Sequence, residues 1–305
     1  MKYLLTGASG FLGNYLIRNV DKFNHEYVTL GRSSSNDIIC DLSHEAPEFK
    51  KNSIEVVIHC AGKAHAVPKS QKEKEDFFKV NLEGTINLLA GLDDLDRKPN
   101  RFIFISSVAV YGLEKGENIP ENHPLLGKTP YAKSKILAEK EVEKWCEKHA
   151  VQYLILRLPL VIGKYPKGNL QSISEAIKKG RYIRIKNNHA RKSMVLAEDV
   201  AKLIASMPNV SGIFNLTGKE NPKFSEIEKE IAKIHLKSIK YSIPQKLAKI
   251  LAQLGTILET FGISPPINSK RLRKICSTLT FSDRKAREAL SWNPKPVLSN
   301  LNCIK

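Results

Sequence analysis

Tyr131 and Lys135 stand four residues apart in the stretch Pro130–Glu147, whose apolar residues recur at helical spacing. The two side chains therefore share one helix face, one turn apart. An ammonium beside a phenol favours the phenolate, so Lys135 is expected to lower Tyr131 from its usual value of ~10. A tyrosine tuned in that way can exchange a proton with a carbinol or carbonyl oxygen. Ser107 follows the apolar run Arg101–Ile105. It stands at the end of a strand where ligands bind in parallel sheets, and its hydroxyl can bond the same oxygen. Ser107, Tyr131 and Lys135 are the candidate catalytic residues.

A second group of residues supplies a cradle. Residues 6–13 read TGASGFLG, directly behind the apolar run Tyr3–Leu5 and ahead of the helical stretch Phe11–Val20. Gly7 allows a tight turn, Gly10 lets backbone approach a pyrophosphate, and Gly13 lets the helix pack closely. The helix N-terminus offers N–H groups and partial positive charge to the phosphates. A glycine loop of this kind is a weak signal alone. Here Ser106-Ser107 and YAKSK (131–135) follow in matching order, so the proton-exchanging tyrosine is read beside a bound nicotinamide dinucleotide that gives or takes hydride.

These residues need a frame. Strand candidates are Tyr3–Leu5, Tyr27–Leu30, Asp37–Cys40, Glu55–His59, Arg101–Ile105 and Gln152–Leu158, and helix candidates are Phe11–Val20, Lys74–Leu92 and Pro130–Glu147. Short apolar runs alternating with amphipathic stretches predict an α/β chain with a Rossmann-type, doubly wound parallel sheet. After Pro159 the pattern breaks into shorter elements. The reading is a nucleotide-binding domain over 1–160 and a smaller substrate-binding region over 161–305, interleaved with the sheet. The stretch Pro244–Phe261 is amphipathic and reads as a core or oligomer-facing helix, with a lipid-surface helix as the alternative.

The bulk properties exclude several classes. The chain has 305 residues and 42% hydrophobic content, enough for a sizeable core. No apolar run approaches the ~20 residues of a membrane span. Met1-Lys2 leads straight into the first strand, so a signal peptide is not expected and the chain reads as cytoplasmic. The five cysteines (Cys40, Cys60, Cys146, Cys276, Cys303) have no metal-site spacing, so no metal is expected. Cys40 and Cys60 read as small buried hydrophobes. The formal charge is +18. It fits nucleic acid or a membrane surface, or simply a lysine-rich chain with a polyanionic substrate. The cations are spread out and not interleaved with aromatics, so no nucleic-acid partner is expected. The local cluster Lys270–Lys274 is either a solvated helix face or a contact to a nucleotide diphosphate.

With these motifs in register the chain resembles the extended short-chain dehydrogenase/reductases, the nucleotide-sugar epimerase/dehydratase family. Besides the segments above, HCAG (59–62), VNLEGTINLL (80–89), SSVAVYG (106–112), LRLPLVIG (156–163), RKSMVLAEDVA (191–201) and SDRKAREALSWNPK (282–295) carry the likeness. The resemblance implies that Ser107, Tyr131 and Lys135 form the triad, with Lys135 also holding the nicotinamide ribose. It implies cofactor contacts from Gly7, Gly10, Phe11, Leu12 and Gly13, from Asp41 and Leu42 flanking the adenine, and from Ala61, Gly62 and Pro159. Asn81 would line the substrate site. Arg191 and Lys192 would meet the substrate diphosphate or form a solvated loop. Gly168 and Asn169 would touch the base, and His65 either reaches the sugar or caps its loop. Family members pair the helices corresponding to Lys74–Leu92 and Pro130–Glu147, so a homodimer is expected.

Arg32, Ser33 and Ser34 close the second strand, where NAD enzymes usually place a carboxylate. Arg32 can clamp a 2′-phosphate, which favours NADP(H); if it stacks on adenine or faces solvent, NAD(H) serves equally. Dehydratases of the family carry an acidic pair after the catalytic hydroxyl residue. Here Val108 and Ala109 follow Ser107, which disfavours dehydration. HCAGKAHAV (59–67) is similar to bacterial reductases of UDP-4-keto-6-deoxy-N-acetylhexosamines, so NADPH-dependent reduction of such a sugar in cell-surface polysaccharide synthesis is the leading expectation. The alternatives are a UDP-hexose 4-epimerase and, in another class, a non-catalytic NADP sensor or RNA-binding scaffold. Leu160 and Leu196 replace polar residues common in UDP-galactose 4-epimerases.

Overall fold

A computed structural model describes residues 1–49, 53–64, 68–164, 169–263, 265 and 267–304. The strands β1 (Lys2–Thr6), β2 (Glu26–Gly31), β3 (Ile38–Ile39), β4 (Val56–His59) and β5 (Arg101–Ser107) are joined by Gln152–Leu158 and Gly212–Asn215 in one seven-stranded sheet. Its order is Gly212–Asn215, Gln152–Leu158, β5, β4, β1, β2, β3, and every pairing is parallel. The order reverses at β1. The chain moves outward from β1 through β2 and β3, then returns to place β4 on the opposite side. That reversal opens a crevice beyond the C-terminal ends of β1 and β4, where the glycine loop and HCAG both begin.

Two helical layers cover the sheet. Alternation along β1 sends Tyr3 and Leu5 to one face and Leu4 to the other. The first face packs on Leu12, Leu16 and Val20 of α1 (Phe11–Lys22), together with Val200 and Ile204. The second packs on Leu88 and Leu92, and on Ala138, Val142 and Trp145. These belong to α3 (Gly84–Asp93) and α4 (Pro130–Lys148), which follow α2 (Gln71–Phe78). α4 starts where it does because the Thr129 hydroxyl accepts from the Ala132 N–H at 3.1 Å and Pro130 occupies the first turn.

Two expectations need correction. Lys74–Leu92 is not one helix: α2 and α3 are separated by a π-helical turn, Lys79–Glu83, that contains Asn81. Helical periodicity does not register one inserted residue, and such turns gather at functional sites. The second half also supplies the edge strand Gly212–Asn215, which its short sequence segments do not single out. That half carries α5 (Asn169–Lys178), α6 (Ala197–Ala205), α7 (Phe224–Ile234), α8 (Gln245–Thr260), α9 (Ser269–Cys276) and α10 (Arg284–Leu290). α6 packs on α1. α8 is not a core helix, because its large apolar side chains are exposed and only Ala248, Ala252 and Gly255 are buried. Among the described residues no helix is long and apolar enough to cross a membrane.

Candidate active site

The glycine loop is built as a cradle. Gly7 has φ +72°, and a Cβ there would stand 2.6 Å from the Ala61 nitrogen, so loop and β4 end meet backbone to backbone. A Cβ on Gly13 would meet the Gly7 carbonyl oxygen at 2.1 Å, which brings α1 down onto the loop rather than onto β1 itself. Gly10 differs: a Cβ there would have only the Gly7 oxygen nearby, at 3.0 Å, and otherwise open space. Gly10 caps α1 without a side-chain bond, and the first turn holds no carboxylate. The first-turn N–H groups of α1 have no partner within the helix, and with open space beside Gly10 the positive end of the helix suits a pyrophosphate.

Ser107, Tyr131 and Lys135 come together at the ends of β5 and α4. The Ser107 hydroxyl lies near enough to the Tyr131 phenol to lower its pKa. Ser107 Oγ also accepts from the Ala109 N–H at 3.2 Å, which fixes its rotamer. The Tyr131 ring stands edge-on to Phe77, with centroids 6.1 Å apart. Lys135 is buried. Its Nζ donates to the Ile105 carbonyl at 2.9 Å and lies 4.4 Å from the Phe104 ring centroid. The expected lowering of Tyr131 by Lys135 is absent: burial pushes the phenol above its ordinary value, and the nearby Ser107 hydroxyl only partly opposes this. The ammonium is directed to the strand carbonyl instead of the phenol.

Burial also pushes the Lys135 ammonium down, to about 8 from 10.5. The folded chain therefore releases this proton before the unfolded chain does. From about pH 8 to 10.5 the unfolded state binds more protons, so this group's contribution makes stability rise with pH through that window. The wild-type Tm minus that of Lys135→Met is expected to increase from the lower to the upper end of the window. A flat difference would contradict the buried, charged placement.

A buried polar chain holds the site in register. The Ala61 N–H donates to Thr6 Oγ1 at 3.1 Å, Thr6 Oγ1 meets His59 Nδ1 at 2.7 Å, and His59 Nε2 meets Thr85 Oγ1 at 3.0 Å. Thr85 then donates to the Asn81 carbonyl at 2.7 Å. Because Thr85 gives its only proton to a carbonyl, His59 must donate from Nε2 and accept at Nδ1 from Thr6. Burial pushes His59 down to about 3, which keeps it neutral and fit for this pattern. Asn81 continues the chain: its Oδ1 accepts from the Lys63 N–H at 2.7 Å, and its Nδ2 donates to the Lys63 carbonyl and to Ser134 Oγ. Ser134 in turn donates to the Tyr131 carbonyl at 2.9 Å. Asn81 lies beside Gly62 and pins the 62–63 loop to α4. Thr6, His59, Thr85 and Ser134 are not among the candidate site residues read from the sequence, although each lies inside a quoted motif. Cys60 does more than pack: its thiol lies within electrostatic range of both Tyr131 and Lys135, and burial raises it to about 11.

The remaining residues occupy other walls. Arg32 is exposed behind β2 and acts on Asp41, whose Oδ1 accepts from the Ser43 hydroxyl at 2.6 Å. Ser33 Oγ accepts from Ser35 within the same turn. Leu42 is buried, and its carbonyl accepts from Asn87 Nδ2 at 2.8 Å. Pro159 is half-buried after the strand Gln152–Leu158. Arg191 is exposed and donates to the Asn221 carbonyl at 2.9 Å. Lys192 donates to the Ser277 carbonyl at 2.5 Å, and burial lowers it to about 8. Leu160 and Leu196 sit in an apolar cluster, far from any polar role. His65, Gly168 and the Asn169 side chain lie outside the described residues. All five cysteines are free, and among the described residues no cluster could hold a metal.

Comparison with known proteins agrees with this construction. The model of the NAD dependent epimerase/dehydratase family matches residues 3–216. Over 301 residues the chain is 26% identical to N-acetyl-alpha-D-glucosaminyl-diphospho-ditrans,octacis-undecaprenol 4-epimerase of Escherichia coli O157:H7, covering 94% of this chain and 88% of that protein. The UDP-glucose 4-epimerase of Thermotoga maritima, solved with UDP-glucose, superposes with a TM-score of 0.76 at 19% identity, over 99% of this chain and 97% of that one. RMD from Pseudomonas aeruginosa, complexed with NADPH, does so with a TM-score of 0.72 at 21% identity, over 100% and 98%. At these identities the two structures establish the fold.

Proposed function

The chain belongs to the NAD-dependent epimerase/dehydratase family, and on that premise we propose that it inverts C4 of a diphosphate-linked hexose by oxidation and re-reduction at that carbon. The observation that carries this reading is the Ser107–Tyr131 hydroxyl pair beside buried Lys135, with Val108 and Ala109 following it. The two neighbouring hydroxyls can hold the C4 oxygen, and Tyr131 can take and return its proton. Neither Val108 nor Ala109 can move the second proton that elimination of water requires. The nicotinamide, when bound, supplies and accepts the hydride. The loop of Gly7, Gly10 and Gly13 would hold its pyrophosphate, and Lys135 its ribose. Lys192, flanked by Arg191, is a compact cation for the substrate diphosphate, without the two-pronged geometry of arginine. The relative named as an undecaprenol-diphospho-sugar 4-epimerase supports inversion at C4.

Arg32 favours a second reading, NADPH-dependent reduction of a 4-keto sugar. Its guanidinium is exposed at the end of β2, where a 2′-phosphate would lie. Under this reading Arg32→Glu raises the KM for NADPH about tenfold or more while that for NADH changes little, since hydrogen bonds to a charged group contribute ~1.5–3 kcal/mol. An unchanged NADPH/NADH ratio would remove the support. Stoichiometry separates the two reactions: a reductase consumes one NADPH per turnover, and an epimerase none. A homodimer through α3 and α4 is part of the proposal, because Ile86 and Leu137 are exposed on them; a monomeric mass by light scattering would refute it.

A further inference from the structure

α8 is packed inside out. Leu247, Ile250, Leu251, Leu254, Ile257 and Leu258 recur at three- and four-residue spacing, which makes one stripe, and each is at least 41% exposed. Phe261 extends the apolar surface past the helix end at 76% exposure. The inner side is made of small residues. Ala248 and Ala252 pack with Leu272 of α9, and a Cβ on Gly255 would stand 2.0 Å from the Ile267 carbonyl oxygen. An ordinary surface helix turns its large apolar residues inward; here they face outward as one contiguous stripe, the kind of surface that marks an interaction site.

Charge identifies the occupant. From Gln245 to Cys276 the sequence carries Lys246, Lys249, Lys270, Arg271, Arg273 and Lys274 against a single carboxylate, Glu259. Lys246, Lys249, Lys270 and Lys274 are exposed. A second copy of this chain would bring the same cations and the same +18 charge to the contact. An anionic bilayer offers the complement: acyl chains for the stripe and negative headgroups for the lysines.

We propose that the α8–α9 hairpin is a peripheral docking element for an anionic membrane surface, with the α8 stripe lying at the boundary of headgroups and acyl chains. Lys192 is bonded to Ser277, the residue immediately after α9, so the docked face adjoins the wall that carries this cation.

Co-sedimentation of the full chain with vesicles tests this without any substrate, so its outcome is independent of the proposed reaction. Binding to vesicles of equal parts phosphatidylcholine and phosphatidylglycerol is expected to be at least about tenfold tighter than to pure phosphatidylcholine, and to weaken with salt. Ile250→Glu/Leu254→Glu should lose vesicle binding about tenfold or more while keeping its Tm, since both residues are exposed. Lys246→Gln/Lys249→Gln should weaken binding and flatten its salt dependence. Three results would overturn the proposal: no pelleting above the lipid-free control, equal binding to both vesicle types, or undiminished binding by the glutamate variant. So would a lower oligomeric mass for that variant without vesicle binding by the wild type, which would assign the face to a second copy of the chain.

Discussion

Tyr131→Phe is expected to lower kcat by about 10³-fold, within the range that a positioned general acid–base contributes, with KM changed far less. The phenylalanine ring keeps the edge-on contact with Phe77 and the helical position above Ser134, so the fold and the cofactor cradle should be intact. Only the proton-exchanging oxygen is lost. Ser107 keeps its bond from Ala109 and can still orient the sugar oxygen, but cannot relay its proton through the phenol. Steady-state kinetics with unchanged melting would support this assignment. A kcat within tenfold of wild type would show that another group moves the proton.

The largest stability effect is expected one turn further along α4. Glu139 and Arg157 are both almost fully buried, and Arg157 donates Nη2 to Oε2 at 2.7 Å and Nε to Oε1 at 3.1 Å. Ser106, next to Ser107, donates to the same carboxylate. Arg157 Nη1 reaches Tyr111 at 3.1 Å and the Glu121 carbonyl at 3.0 Å. Arg157→Met would leave a buried carboxylate without its cation, a loss of ~3–5 kcal/mol. Adding Glu139→Leu should restore part of that, because the desolvation penalty disappears with the charge. Urea denaturation of the single and double variants measures both. A single variant within about 0.5 kcal/mol of wild type would mean that the pair contributes as little as a surface substitution.

The frame was legible because its signals are local. The TGASGFLG turn, the apolar runs of β1, β4, β5 and Gln152–Leu158, and the Tyr131–Lys135 spacing each follow from short-range periodicity and turn chemistry. What escaped depends on long-range contact. The edge strand Gly212–Asn215 is four residues long and becomes a strand only by pairing with Gln152–Leu158. The π turn at Asn81 is set by what that amide meets across 53 residues, at Ser134. The direction of the Lys135 ammonium depends on the Ile105 carbonyl of another element, which residue spacing on one helix face does not reveal. In α8, periodicity located the apolar stripe correctly but could not say which side faces the protein; the Ala248, Ala252 and Gly255 series was the available signal.

The most direct test of the central claim supplies a UDP-hexose deuterated at C4 and follows the sugar by mass spectrometry and chromatography, with nicotinamide absorbance recorded in parallel. C4 inversion through Tyr131 predicts the 4-epimer with deuterium retained, no net change in nicotinamide, and product formed about 10³-fold more slowly by Tyr131→Phe. Epimer that has exchanged its deuterium with solvent, or formation of epimer by Tyr131→Phe at the wild-type rate, would contradict it.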